Sequence, residues 1–399
     1  MGAAIVWILL LAVCVLPAPS GGTAAQRSVR SALELRLPSR APPLAGERTV
    51  YAVGDVHGDG RALRRLLAAA GVTDAAGRWA AGDAVLVQTG DLFDRHADDL
   101  EPLRLLRRLR RGARERGGEV CWLMGNHEAL NMLGVLDYVP DGGFAPFDRL
   151  MRRWHIAIDA GFAALDPSDA AAATAPHERA RRVAMAPGGI VARALAAPIA
   201  LIVGETLFAH AGVRAAHVPL LAAWNAQAVA WARGDGAWPR AALSGVDSPV
   251  WTRVLSGDPD YDELGSGLPH EVCAELDDVL RATGCSRLVV GHTPQPRGVN
   301  CACANRVWRV DVGMSDVYGG PAELLRIDGS SGACAVFALP RGGACGEWLP
   351  ASARTAPSHT PRRPAHARLA KYFGGPKPPL SVGADGVGAG VVGGNSAGD

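Results

Sequence analysis

The chain has 399 residues, of which 48% are hydrophobic and 20% are charged, and its formal net charge is +2. This length and composition are sufficient to bury a substantial core and to form one large domain. A nearly neutral chain has no strong electrostatic attraction to a phosphate backbone, so we expect no nucleic-acid partner.

A continuous apolar segment, residues 3–16, opens the chain and is followed by proline and small residues. It is too short to span a bilayer and fits the core of a signal peptide. We therefore predict a signal peptide over 1–25, a linker over 26–46, and a mature chain that enters the secretory pathway without a membrane span. No Lys or Arg precedes the segment, while Arg27 and Arg30 follow it, so a plastid or mitochondrial presequence is the alternative.

Five short runs of apolar and β-branched residues predict buried strands, at 49–53, 84–88, 119–124, 206–209 and 287–290. Each run is followed directly by a polar motif, and these motifs span 54–58, 90–95, 125–128, 210–212 and 291–293. In α/β sheets, ligands bind beyond the carboxyl ends of the strands. We therefore expect the five loops to converge on one site.

The segment between the second and third motifs predicts an amphipathic helix. Leu103, Leu106 and Leu109 recur at helical spacing and form one apolar stripe, while several arginines lie between them. We interpret these arginines as a solvated face rather than a binding patch.

The remaining segments complete the domain. An Ala-rich stretch with scattered arginines, 139–200, predicts a helical insertion with a loop around 166–176. Late strands are expected at 306–310, 323–327 and 334–339, which places the domain at 47–345. From residue 350 onward Pro, Gly, Ser and Ala dominate, which predicts a disordered tail over 350–399.

Seven cysteines follow Cys14. Cys121 lies in a predicted central strand, where we expect an inert core thiol. The spacing of Cys301 and Cys303 is too tight for a usual zinc site. In an exported chain we expect disulfides among the late cysteines, with at least one cysteine unpaired and with partners that the sequence does not assign.

Six motif side chains are of the types that bind divalent metals, namely Asp55, His57, Asp91, Asn126, His210 and His292. The first two stand two residues apart and can face one ion, and the carboxylate of the third can bridge two ions. The other three supply an oxygen and two imidazole nitrogens to the second ion. Mixed oxygen and nitrogen ligation suits Mn, Fe or Zn better than Mg or Ca.

Three further motif residues suit phosphoester chemistry. His127 can protonate a leaving oxygen, and Asp94 can orient and charge its ring. Arg95 offers a planar fork for phosphate oxygens. The expected reaction is in-line attack on phosphorus by hydroxide bound to two metal ions, without a covalent intermediate.

These motifs resemble those of the phosphoprotein phosphatase family, within the calcineurin-like metallophosphoesterase fold. More narrowly, they resemble the Shewanella-like protein phosphatases. The closer resemblance covers roughly 49–338 and is carried by the stretches 123–128, 187–189, 249–253, 289–295 and 307–315. Three positions depart from the family pattern, His96, Asp137 and Ala211, and none of them is a ligand.

The resemblance implies an α/β fold, a two-sheet β-sandwich flanked by helices, with two divalent metal ions and a phosphorylated protein as substrate. It implies the metal and acid roles given above, and a second phosphate-binding arginine at Arg253. A surface arginine beside a core tryptophan is the alternative for that position. Two other functions stay open: a dinucleotide polyphosphate hydrolase, which shares the metal core, and a catalytically silent phosphopeptide-binding module.

Overall fold

The computed structural model describes residues 24–35, 48–154, 176–257, 268–340 and 345–350. The predicted signal peptide up to residue 23, the loop expected around 166–176 up to residue 175, and the tail after residue 350 lie outside the described residues.

The described strands, in chain order, are β1 Val50–Val53, β2 Val85–Gln88, β3 Glu119–Trp122, β4 Ala200–Val203, β5 Thr206–Ala209, β6 Arg287–Val290, β7 Asn300–Ala302, β8 Val307–Arg309, β9 Ala322–Ile327, β10 Cys334–Leu339 and β11 Glu347–Pro350. The described α-helices are α1 Ala24–Leu33, α2 Gly60–Ala69, α3 Leu100–Glu115, α4 Asn126–Met132, α5 Ala145–Arg153, α6 Pro176–Met185, α7 Ile190–Leu195, α8 Leu221–Arg233, α9 Arg240–Leu243 and α10 His270–Thr283. Short 3-10 helices span Asp141–Gly143 and Ala215–His217. Strands are present at all eight predicted places, with ends that differ by at most two residues.

The strands form two mixed sheets, as the predicted two-sheet α/β fold requires. One sheet has the order β11-β10-β9-β1-β2-β3, and the other has the order β4-β5-β6-β8-β7. Strands β1, β2 and β3 run parallel to one another, and β6 runs parallel to both β5 and β8. Strands β2 and β3 are buried throughout, which explains why each has three consecutive apolar residues.

The predicted apolar stripe of α3 is confirmed, since Leu103, Leu106 and Leu109 are buried in the core. Helices α5, α6 and α7 lie in the predicted insertion, and α5 packs against α6. No helix among the described residues is long and apolar enough to cross a membrane.

Helix α1 lies where a signal-peptide end and a linker were predicted, and it is part of the folded domain. It packs against α8, α10 and β4. Arg30 donates hydrogen bonds to the carbonyl oxygens of Gly204 and Gly284, and the Leu35 amide donates to the Ile202 carbonyl over 2.8 Å. Residues 26–35 are therefore docked on the second sheet rather than forming a free linker.

The cysteines are distributed as a core thiol and a late disulfide. Cys121 is buried on β3, and burial raises the pKa of its thiol to about 12. Cys273 on α10 is disulfide-bonded to Cys303, in the turn between β7 and β8. This cross-link joins a helix to the edge hairpin of the second sheet.

Candidate metal centre and active site

The six predicted metal ligands come together at the edge where the two sheets meet. All six side chains are buried. Those of the first sheet follow β1, β2 and β3, and the two histidines of the second sheet follow β5 and β6. The backbone amide of His292 lies 3.1 and 3.2 Å from the two carboxylate oxygens of Asp55, which ties the two sheets together at this edge.

Side-chain atoms of the types that bind metal form two groups that share Asp91, and one of these groups includes His127, which is not among the six predicted ligands. One group contains His57, Asp91 and His127, the other contains Asp91, His210 and His292, and in each group the atoms lie within 4.8 Å of one another. Oδ2 of Asp91 is 3.9 Å from Nε2 of His57 and 3.5 Å from Nε2 of His210. A carboxylate between two groups has the position that a bridging ligand requires.

Asp55 and Asn126 complete the two groups. Oδ2 of Asp55 lies 3.9 Å from Nε2 of His57, and Oδ1 of Asn126 lies 2.9 Å from Nε2 of His210. The ligands predicted for each ion are therefore neighbours in the structure.

Backbone carbonyls fix the ring orientation of three histidines. Nδ1 of His57 lies 2.9 Å from the Phe93 carbonyl oxygen, and Nδ1 of His210 lies 2.9 Å from that of Thr89. A carbonyl only accepts, so each Nδ1 carries a proton and Nε2 is the nitrogen that faces the cluster. In His292 the arrangement is reversed, because its Nε2 lies 3.1 Å from the Trp251 carbonyl, which leaves Nδ1 for a metal.

Five site residues have a left-handed backbone, with φ of 45° at His57, 55° at Asp91, 73° at Asp94, 71° at Arg95 and 70° at His292. Residues other than glycine rarely adopt this region, and each such residue costs on the order of 1–3 kcal/mol. Strain concentrated at the ligand loops is typical of a functional site, where the surrounding structure holds the side chains in place.

The motif glycines provide space for the carboxylates. A Cβ atom at position 125 would collide with Oδ1 of Asp91, and a Cβ at position 291 would collide with Oδ1 of Asp55 and Oγ1 of Thr89. Any larger residue at either position would displace a ligand.

The donor set fits divalent cations. Burial raises the pKa of Asp55, and the nearby carboxylates of Asp311 and Asp91 raise it further. Burial lowers the pKa of His57 to about 3 and holds that of His292 well below its usual range, so both rings are neutral, the form that binds metal. Buried carboxylates that repel one another, beside neutral imidazoles, match the charge and ligand type of a metal pair.

His127 and Asp94 form a buried pair beside the ligands. Nδ1 of His127 lies 2.6 Å from Oδ2 of Asp94, and Nε2 of His127 lies 3.9 Å from Oδ2 of Asp91. Although burial opposes it, the carboxylates of Asp91 and Asp94 raise the pKa of His127. Because Nδ1 is paired with Asp94, Nε2 is the nitrogen that faces the site.

Arg95 borders the same side of the cluster. Its guanidinium carbon lies 4.4 Å from the ring centre of Tyr138 and 5.9 Å from that of Tyr318. The Tyr138 ring contacts His127 and the Tyr318 ring contacts His57, at 5.0 and 5.2 Å between ring centres. The two tyrosines thus link this half-buried arginine to both imidazoles.

Arg253 lies beside His292, in the loop after Trp251. Its Nη1 donates a 2.8 Å hydrogen bond to Oγ1 of Thr293, and the side chain is half-buried. The positive charge of Arg253 adds to burial in lowering the pKa of His292. The structure therefore brings together all ten residues that the sequence predicted for the site.

Glu128 has a structural role that the sequence analysis did not assign, although it lies inside the third motif. Its Oε2 accepts hydrogen bonds from the backbone amides of Asp91 and Gly125, and its Oε1 accepts one from Leu92, each over 2.8 Å. Burial and the charge of Asp91 raise the pKa of Glu128 to about 7. The backbone amides act in the opposite direction, because their hydrogen bonds favour the ionised carboxylate. Glu128 thereby fixes the backbone that carries the shared carboxylate.

Two other buried charges were missed. Asp311 follows β8 and adds a sixth strand-end loop to the site, and burial raises the pKa of its carboxyl to about 7. Arg181 on α6 reaches Asp94 from the insertion, with 2.7 Å between Nη2 and Oδ1. A strand-end position was the available signal for Asp311, whereas no local pattern marks Arg181.

This chain is similar to known phosphatases over most of its length. A family model described as calcineurin-like phosphoesterase matches residues 48–296. Shewanella-like protein phosphatase 2 of Arabidopsis thaliana is 31% identical over 317 residues, which cover 74% of this chain and 78% of that protein. Shewanella-like protein phosphatase 1 of Plasmodium berghei is 25% identical, over 70% of this chain and 71% of that protein.

Among solved structures, a cold-active protein-tyrosine phosphatase of a psychrophilic Shewanella species has a similar fold. The TM-score is 0.52 and the identity 24%, and the match covers 76% of this chain and 81% of that chain. The similarity supports the two-sheet architecture described above.

Proposed function

Since this chain belongs to the calcineurin-like phosphoesterase family, in its Shewanella-like protein phosphatase branch, and is a metal-dependent phosphatase, we propose that it hydrolyses phosphomonoesters of a phosphorylated protein. The observation that carries the proposal is the buried cluster of six ligand side chains around Asp91, with the His127–Asp94 pair beside it.

Each functional side chain has a specific task. Six residues hold the two ions, which when bound neutralise phosphate charge and lower the pKa of water. Arg95, near His127, and Arg253, near His292, bind the non-bridging phosphate oxygens. His127 donates its Nε2 proton to the leaving oxygen, and Asp94 keeps the ring charged and oriented. Because the attacking oxygen would come from water and not from an enzyme side chain, no covalent enzyme intermediate forms.

The metals we propose are Mn, Fe or Zn. Three imidazoles, two carboxylates and one amide oxygen form a mixed set that these ions accept, whereas Mg and Ca prefer oxygen ligands. Metal-depleted protein should regain turnover of an aryl phosphate on addition of Mn and lose it again with a chelator. Folded, metal-loaded protein that hydrolyses no phosphoester would instead support a silent phosphopeptide-binding module.

The names of the two Shewanella-like relatives support a phosphoprotein substrate. The competing substrate class is the dinucleotide polyphosphates, which the same metal core can hydrolyse. Side-by-side values of kcat/KM on phosphoserine, phosphothreonine and phosphotyrosine peptides and on a diadenosine polyphosphate separate the two. A strong preference for the dinucleotide would contradict the proposal.

The acid role of His127 has its own test. General acid catalysis contributes about 10²–10⁴-fold in rate, so His127→Asn should lower kcat by about that factor with unchanged metal content. A phenolate, with a pKa of about 10, needs less protonation than an alkoxide. The loss should therefore be smaller on aryl phosphates than on phosphoserine peptides. Loss of bound metal would mean that His127 is a ligand.

For localisation we propose export through a signal peptide, with a mature start near residues 23–26. The apolar segment 3–16 supports it, and α1 begins at Ala24, so cleavage there leaves nearly the whole helix in place. N-terminal sequencing of protein from its native host should find this start, and an intact Met1 or Gly2 would contradict it.

A further inference from the structure

The helical insertion reaches the active site through one arginine. Arg181 on α6 has no solvent-exposed side-chain surface. Its Nη2 donates to Oδ1 of Asp94 over 2.7 Å, and its Nε donates to Oδ1 of Asn131 over 2.8 Å. Its Nη1 donates to Oδ2 of Asp99 over 2.5 Å and to the Gly143 carbonyl over 3.0 Å. Each guanidinium nitrogen therefore has a partner.

These contacts determine how Asp94 faces His127. Oδ1 of Asp94 accepts from Arg181 and, over 2.9 Å, from Nδ2 of Asn131, while Oδ2 remains for Nδ1 of His127. Nδ2 of Asn131 also donates over 2.9 Å to the backbone carbonyl of His127. With one oxygen held by two donors, the carboxylate plane has one orientation, and the other oxygen points at the imidazole.

The backbone of Asp94 makes such support necessary. Asp94 and Arg95 both have a left-handed backbone, with φ of 73° and 71°. A loop of two strained residues holds its conformation only when its surroundings determine it. A buried cation that grips the Asp94 carboxylate from a separate helix supplies that constraint.

We propose that Arg181 is a positioning residue for catalysis, which holds Asp94 so that the His127 ring stays oriented toward the leaving oxygen. The inference rests on the proposed acid role of His127. The insertion then has a part in proton transfer, because α6 contributes Arg181. Arg181 contacts Asp94, which in turn contacts His127. A planar guanidinium suits this place because it reaches four acceptors at once, which an ammonium group does not.

Arg181→Gln and Arg181→Lys test the proposal, with Arg182→Gln as the matched control. Arg182 lies on the same helix, but it donates to the Gly134 carbonyl and to Glu178, away from the acid pair. Partners that orient a metal-binding imidazole contribute about 10–100-fold, and we expect a similar factor for the ring of His127. Arg181→Gln should therefore lower kcat by about 10–100-fold while KM and metal content stay unchanged. The loss should be larger on phosphoserine peptides than on 4-nitrophenyl phosphate, and Arg182→Gln should show no such difference.

A double-mutant cycle separates positioning from general damage. If Arg181 acts through His127, adding Arg181→Gln to His127→Asn should cost no more than about twofold further, because coupled residues are not additive. Equal losses on both substrates, or full additivity, would overturn the proposal. If Arg181→Gln does not fold, the same cycle is run with Arg181→Lys, and failure of both to fold would overturn it as well.

The outcomes distinguish this inference from the proposed function. If His127→Asn lowers activity as expected and Arg181→Gln adds its full loss on top, the positioning role alone is refuted. A His127→Asn variant of normal activity refutes the acid role on which both rest.

Discussion

Glu128→Gln removes the carboxylate that holds the backbone of the shared ligand. In the structure, two oxygens of Glu128 accept three backbone N–H groups, from Asp91, Leu92 and Gly125. The glutamine side chain has one oxygen instead of two. Its NH₂ group takes the place of the second carboxylate oxygen and there faces a backbone N–H, which it cannot accept from. In the better orientation Nε2 takes the place of Oε1, so that the Leu92 amide alone loses its acceptor.

The cost follows from these contacts. A buried N–H without an acceptor costs about 1–3 kcal/mol, and the two remaining bonds lose the strength that a charged acceptor gives them. Burial and the charge of Asp91 raise the pKa of Glu128 to about 7 and so oppose its ionised form, which offsets part of this cost. We therefore expect a net loss of about 1–2 kcal/mol in the free energy of unfolding. Because Asp91 shifts with its backbone, metal affinity should also fall, by about 10–100-fold.

The measurement is urea denaturation of metal-free protein at pH 8, above the pKa of about 7 of Glu128, so that the wild-type side chain is ionised. Metal affinity is measured separately on the folded variant. Glu115→Gln is the control, because Glu115 lies exposed on α3 and should change stability by less than about 0.5 kcal/mol. If Glu128→Gln is no less stable than this control, the three backbone hydrogen bonds do not hold the Asp91 loop.

Two further predictions concern packing and thiol chemistry. Gly234 and Gly71 both have a left-handed backbone, but a Cβ at Gly234 would lie 2.8 Å from the Gly188 Cα, and one at Gly71 would meet nothing within 4 Å. Both alanine variants should lose about 1–2 kcal/mol in unfolding free energy, and Gly234→Ala should lose at least about 1 kcal/mol more; equal losses would contradict the packing. Iodoacetamide at pH 8 should label the exposed Cys345 and leave Cys121 unmodified in the folded protein, because burial raises the pKa of Cys121 to about 12. Mass spectrometry of the labelled peptides checks this, and rapid labelling of Cys121 would contradict its burial.

Much of the site could be predicted because its ligands lie next to strands in the sequence. Asp55 and His57 follow β1, and Asp91 follows β2. A short apolar run therefore predicts the strand, and the polar motif after it predicts the ligands at the end of that strand. Parallel strands bring their carboxyl ends to one edge, which converts this local order into spatial proximity. At the start of the chain the composition did not predict the structure. A linker was expected there, but α1 packs on the second sheet.

The sequence by itself determined which residues could bind metal. The side chain decides whether a residue can be a ligand, and the apolar run that precedes it in the sequence shows that it stands at the end of a strand. The tertiary structure alone decided how those residues are held. Arg181 meets Asp94 from 87 positions away, and Cys303 pairs with Cys273 rather than with another late cysteine. Such partners depend on how helices dock on the sheets, a result of packing across the whole core, and no local periodicity carries that information.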